Sequence, residues 1–152
     1  MDLTFRLDVE PKGAKRHRTR VIVPKSGASA FASEYSDPDE VKYQREIATL
    51  ARPHRPKSPI EGFLWRIDDP VRVDIVAVTR RPQTVPKKKG TGRYWSSVKP
   101  DVDNIAKSIL DALKDWWSDD KLVAQLVVSK VVAAEGETPH LELRIRTLGG
   151  LK

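Results

Sequence analysis

Asp101, Asp103, Asp111, Asp119 and Asp120, five of the six aspartates between positions 101 and 120, crowd together in a chain that is otherwise basic, with 28 Lys plus Arg against 21 Asp plus Glu and a formal net charge of +7. Crowded carboxylates repel one another, and a bound divalent cation is the usual relief. Residues two apart point the same way in extended backbone, so Asp101 and Asp103 can present their carboxylates to one ion. Mg²⁺ prefers hard oxygen ligands and keeps several waters, so a few carboxylates and a substrate phosphate complete its shell. Asp103, Lys107 and Asp111 then recur at four-residue spacing and share one face of a helix. Such a ladder on its own is what many solvated helices show. The Asp119-Asp120 pair, which follows closely and can fold back towards the charged face, gives the ladder a chemical reading.

The elements that must position these residues are legible in the pattern. Leu3, Phe5, Leu7 and Val9 alternate with Thr4, Arg6 and Asp8, the period of a strand with one face buried. Asp37-Pro38-Asp39-Glu40 predicts a helix start, with Asp37 as cap, Pro38 at the first helical position and Glu40 closing a capping box. Tyr43, Ile47, Leu50 and Ala51 continue it until Arg52-Pro53. Residues 63–67 and 71–79 read as an antiparallel hairpin around Asp68-Asp69-Pro70. A second helix is predicted over 103–117, its Ile105, Ile109, Ala112, Leu113 and Trp116 forming the apolar face. The spacing assigns Trp116 and, with it, Trp117 to core packing. Strands over 122–133 and 140–146 close the chain around Glu135-Gly136-Glu137. The expectation is one mixed α/β (α+β) domain over residues 1–152: a mixed sheet packed by two main helices, its topology open.

Two basic stretches lie outside these elements. One spans 11–20 and carries Lys12, Lys15, Arg16, Arg18 and Arg20. The other spans 80–100, with Pro82, Pro86, Gly90 and Gly92 among Lys87, Lys88, Lys89, Arg93 and Lys99; so long a connection is expected to be a mobile, functional loop. Its Tyr94 and Trp95 beside lysines suit a surface that pairs phosphates and stacks on bases. A basic chain favours a polyanionic partner, and DNA is the first candidate.

Composition excludes several chemistries. The chain has no cysteine, which removes disulfides, thiolate nucleophiles and thiolate zinc sites. His17, His54 and His140 are scattered without ligand spacing. No glycine-rich phosphate cradle occurs, so no nucleotide cofactor is expected. The N-terminus lacks a signal-peptide pattern and no apolar run reaches the roughly 20 residues needed to span a bilayer; a cytoplasmic protein without a membrane partner is expected.

Lys99-Pro100-Asp101-Val102-Asp103-Asn104, with Lys107, Asp111-Ala112-Leu113, Asp119-Asp120 and Lys130, resembles the signature of RusA-type Holliday junction resolvases. The match is specific over residues 99–130 and looser over the N-terminal basic loop. The resemblance implies a RusA-like fold and a homodimer acting in DNA recombination and repair. Such a dimer binds branched DNA, above all four-way junctions, and nicks two strands symmetrically with Mg²⁺, for which Mn²⁺ can substitute. It places Asp101, Asp103 and Asp120 on the metal-binding carboxylates and Lys107 on the essential lysine, so that these residues form the catalytic set. Asn104, Asp111 and Asp119 are assigned supporting roles. The join between Asp111-Ala112-Leu113 and Asp119-Asp120 lacks the glycine turn of many relatives, and Asp120 is preferred to Asp119 because Val123 then opens the next strand. Two other readings stand beside this one: a non-catalytic DNA-binding module, which leaves the acidic cluster without a task, and a nuclease acting on other branched DNA.

Overall fold

The computed structural model describes residues 1–15, 18–58, 63 and 65–149, with backbone only at Arg18 and Glu34. Its strands and helices in chain order are β1 (Asp2–Leu7), β2 (Arg18–Ile22), β3 (Phe31–Tyr35), α1 (Pro38–Ala51), β4 (Val71–Thr79), β5 (Tyr94–Trp95), α2 (Val102–Ala112), β6 (Val123–Val132) and β7 (His140–Thr147). Five strands form one sheet in the order β1-β7-β4-β6-β5, and β2 pairs with β3 in a separate ribbon. The β4–β6 pairing is parallel while β1–β7, β4–β7 and β5–β6 are antiparallel, so the sheet is mixed as expected. Strands β6 and β7, consecutive in the chain, are separated in space by β4.

Alternation along the strands puts Val71, Val73, Ile75 and Ala77 of β4 and Leu141, Leu143 and Ile145 of β7 on one buried face. Against that face pack Tyr43, Ile47 and Ala51 of α1 and Ile105, Ala106 and Ile109 of α2, giving a single core in one compact domain. Trp116 and Trp117 are both buried in it, as expected. The opposite face is polar, with Arg72 bonded to Asp74, and Arg144 to Asp2. No described helix is long and apolar enough to cross a membrane.

Three expectations need correction. The helix predicted over 103–117 ends at Ala112 and gives way to a 3₁₀ turn, Lys114–Trp116. The cause is tertiary: Ile67 N–H donates to Trp116 O at 2.8 Å and Ser118 N–H to Ile67 O at 3.1 Å, which pulls the chain out of the helix. The hairpin expected over 63–79 is absent among the described residues. Ile67 makes only an isolated parallel bridge to Trp117, and the Trp65 carbonyl is taken by the Arg55 guanidinium at 2.5 Å rather than by a ladder; Leu64 lies outside the described residues. Asp37 does cap α1, its carboxylate accepting from Asp39 N–H at 3.0 Å, but Glu40 closes no capping box. It points inward instead and accepts from Ser108 Oγ of α2 at 2.7 Å and from Lys15 N–H at 3.1 Å.

The 80–100 connection is tied at several points. Arg81 donates to the carbonyls of Gly90, Gly92 and Ala133. Arg93 is held by Glu137 at 2.5 Å and Glu142 at 2.7 Å. The Arg93 guanidinium, with help from the Ala134 N–H, pushes the Glu137 carboxyl down to about 2. A depressed folded-state value stabilises the fold above the ordinary glutamate range, and that contribution is lost as pH falls towards the folded value. We therefore expect Glu137→Gln to destabilise the protein near neutral pH. Urea titrations should show the gap from wild type narrowing between about pH 4.5 and 2, where Glu137 takes up its proton in both states.

Candidate active site

Helix α2 carries the acidic motif at its N-terminus. Asp101 is the cap residue, with φ −74° and ψ 150°, and its side chain makes no cap bond. Its carbonyl accepts the Ile105 N–H at 3.1 Å and so starts the helix, leaving the carboxylate outside it. Asp103 sits in the first turn. Both side chains are exposed, and neither accepts a hydrogen bond from a described residue. The positive end of the helix dipole favours negative charge there. Two uncommitted carboxylate donors at one helix start suit a hard divalent cation that fills the rest of its shell with water and phosphate.

What precedes Asp101 is fixed from the sheet. Lys130, inward on β6, donates through Nζ to the carbonyl of Pro100 at 2.7 Å and to that of Val98. From the other side the N-terminal loop closes in. Ala14 N–H donates to Asn104 O at 2.9 Å, and a side chain built on Gly13 would put Cβ 2.8 Å from Pro100 Cβ and 3.2 Å from Asn104 Cβ. The loop is anchored in turn on α1, where the Tyr43 hydroxyl receives Lys12 N–H and donates to Glu10 O, both at 3.0 Å. Burial pushes that phenol up to about 12, so it stays a donor throughout the working range. The result is a cleft of about 450 Å³ lined by Lys12, Gly13, Lys99, Pro100, Asp101 and Asn104 among others.

The structure therefore brings together Asp101, Asn104, Lys12 and Lys99. Lys107 and Asp111, further along α2, line a second cleft of about 190 Å³ that shares Ala14 with the first. Asp120 is not beside them. It follows the end of α2, in the 3₁₀ turn Asp120–Leu122, where its carboxylate accepts Trp117 Nε1–H at 3.1 Å. Asp119 caps that turn; the Lys121 N–H and then the Lys121 ammonium hold its carboxyl below the usual range. Among the described residues no group of three or more acidic or histidine side chains stands close enough to enclose a metal ion.

The basic residues also divide. Lys15 pairs with Asp37 and Asp39, and Arg93 with Glu137 and Glu142. Lys12 lies over the Tyr43 ring and Lys89 over Tyr94. Lys87, Lys88, Lys99 and Arg20 are exposed and make no ion pair with a described residue. Arg16 and the side chain of Arg18 lie outside the described residues. Trp95 on the same connection is 74% exposed, a flat aromatic face open to solvent. Two positioning residues had gone without a role in the sequence. Lys130 stood in the motif, and a lone lysine in the apolar run Val127-Val128-Ser129-Lys130-Val131-Val132 was the signal that it has a buried task. Gly13 carried no signal short of the fold itself.

Because no side chain fits between the loop and α2 at Gly13, Gly13→Ala should push the loop off Pro100 and break the Ala14–Asn104 hydrogen bond. The expected cost is about 1–3 kcal/mol in urea unfolding, accompanied by faster amide exchange at Ala14.

Comparison with known proteins agrees with this geometry. Residues 8–146 match the family described as Endodeoxyribonuclease RusA, a span that takes in both helices and the acidic motif. The chain is also similar to YqaN of Bacillus subtilis (strain 168), described as an uncharacterized protein, with 34% identity over 118 residues, 72% of this chain and 76% of that one. With almost its whole length matched, and with the acidic helix start, the clamped loop and the mixed sheet in place, the chain belongs to the RusA endodeoxyribonuclease family.

Proposed function

We propose that this protein is a structure-specific endodeoxyribonuclease that resolves Holliday junctions by paired symmetric nicks, acting as a homodimer with Mg²⁺, or with Mn²⁺ in its place. The observation that carries the proposal is the uncommitted carboxylates of Asp101 and Asp103 at the start of α2, Asp101 lining a cleft with Lys12 and Lys99. A basic rim draws the phosphate backbone to an acidic centre that would otherwise repel it. When bound, the cation supplies charge stabilisation and water activation for phosphodiester hydrolysis. Asp101 and Asp103 would hold it, and the motif assigns Asp120 as the third carboxylate. Lys107, one turn beyond Asp103 on the same face, contacts the scissile phosphate and offsets charge developing on it. Asn104 and Asp111 orient the site, and Asp119 fixes the turn that carries Asp120. Lys87, Lys88, Lys99 and the exposed Trp95 take the flanking strand by phosphate pairing and stacking.

The exposed Trp95 and its lysines would serve a non-catalytic DNA-binding module equally well, and cleavage decides between the two. A synthetic four-way junction with Mg²⁺ should be nicked symmetrically, and linear duplex should not. EDTA should abolish nicking, as should Asp103→Asn, which is exposed and leaves the circular dichroism spectrum and junction binding intact. Normal cleavage by Asp103→Asn would remove that residue from the mechanism. Lys107→Ala should lower kcat by about 100-fold while Mn²⁺ titration gives an unchanged affinity; full recovery of its rate by excess metal would contradict the phosphate role.

A further inference from the structure

The outward side of α1 carries cations that the fold does not use. Tyr43, Ile47 and Ala51 point into the core. Opposite them Lys42, Arg45, Thr49 and the cap residue Arg52 follow at spacings of three, four and three, which sets them in one row along the helix. All four are exposed. The three cations make no ion pair and no side-chain hydrogen bond with a described residue, although Glu46 stands one turn beyond Lys42. By contrast Arg72, Arg80, Arg93 and Arg144 each hold a carboxylate. A row of unpaired like charge is kept against its own repulsion, and a bound polyanion relieves it.

A second observation says which polyanion. Lys42 lines, with Lys12 and Lys15, a cleft of about 360 Å³ between α1 and the N-terminal loop. Lys12 and Gly13 also line the cleft at Asp101, so positive side chains lead from the acidic helix start over Lys12 and Lys42 to Arg45 and Arg52. No apolar side chain stands in the row, which therefore lacks the anchors that a lipid surface takes up. From Lys42 to Arg52 the helix rises about 15 Å. A duplex strand places one phosphate per roughly 3.4 Å of axis, so the row runs beside about four base pairs. Duplex DNA is stiff over that length and its phosphates keep their spacing, as cations fixed on a helix require. Two of the three cations are arginines, whose forks grip phosphate oxygens in pairs.

Resting on the nuclease reading above, we infer that the outer face of α1 is a phosphate track for the duplex arm that leaves the acidic start of α2, with Lys42 nearest the nick and Arg52 farthest from it. Lys12 marks where the track joins the cleft. The track reads no base, because every contact it makes is to backbone. What it recognises is that double-stranded DNA continues past the cut.

Fluorescence anisotropy of a labelled four-way junction in EDTA reads binding without nicking. The triple variant Lys42→Gln/Arg45→Gln/Arg52→Gln should bind on the order of 10–100-fold more weakly at about 100 mM salt, and its slope of log affinity against log salt should flatten by about 2.7, roughly 0.9 per cation. The single variants, each expected to flatten the slope by about 0.9, decide the matter if the triple variant does not fold. Lys42→Arg/Arg45→Lys/Arg52→Lys keeps the charge and should bind as wild type does. Uncharged methylphosphonate linkages in the first roughly four base pairs beyond the nick should weaken wild type more than the triple variant. Unchanged affinity and slope in the variants overturn the track. So does a triple variant that loses as much as wild type to the neutral linkages, since the row then acts through net charge alone. Wild type that binds junctions but never nicks them counts against the nuclease reading instead, and the anisotropy comparison still decides this one.

Discussion

A carboxylate removed from water is tolerated only where donors replace its hydration. Glu40 is such a group, and its donors come from three directions: Ser108 Oγ on α2, the Lys15 N–H on the N-terminal loop and Gln44 Nε2 one turn along α1. This single point sets the position of α2 relative to α1 and brings the loop between them. The Ala14–Asn104 bond and the close approach of Gly13 to Pro100 follow from it, as does the direction in which Asp101 and Asp103 emerge. The acidic pair sits on no strand or loop of its own; it is presented by a helix whose register a buried acid on another helix determines.

Charge is distributed so that this presentation has a use. A good share of the arginine is spent on ion pairs within the chain, Arg72 on Asp74, Arg80 on Glu10, Arg93 on Glu137 and Glu142, and Arg144 on Asp2. Among the described residues Lys87, Lys88 and Lys99 of the 80–100 connection are exposed and make no ion pair. Compact, strongly hydrated ammonium groups on flexible stems suit a backbone whose phosphates vary in position, whereas arginine forks suit fixed carboxylates. On the 80–100 connection the two cations divide in this way, Arg80, Arg81 and Arg93 holding the fold and Lys87, Lys88 and Lys99 left over for a ligand.

Much of this was legible in the residues, and the failures share a cause. Strand alternation in 71–79 and 140–147, the Asp37 cap, and the apolar stripe of Ile105, Ile109 and Leu113 all depend on local periodicity, which survives folding. Residues 63–67 have the composition of a strand, but Arg55 captured the Trp65 carbonyl, and no local pattern announces a competitor ten residues away. Glu40 has the spacing of a capping box and was drawn inward by Ser108, which lies 68 residues on. The motif identified the aspartates of the candidate site, yet their separation along α2 became visible only once Pro100 and Trp117 were placed on the sheet. The ribbon of β2 and β3 went unforeseen because charge in 11–20 masked the short apolar run that follows.

Strand β7 lies between β1 and β4, pairing with both, although it comes last of the described strands in chain order. Non-local pairing of this kind must bear its loop-closure entropy before any contact rewards it. During synthesis the first strand and the central strand of the sheet have no neighbour to join them until residues near 147 have left the ribosome. A growing chain with both helices and every aspartate already made still has no finished core to hold them. For a member of an endodeoxyribonuclease family this order of assembly is protective, since a half-translated copy has no platform from which to cut.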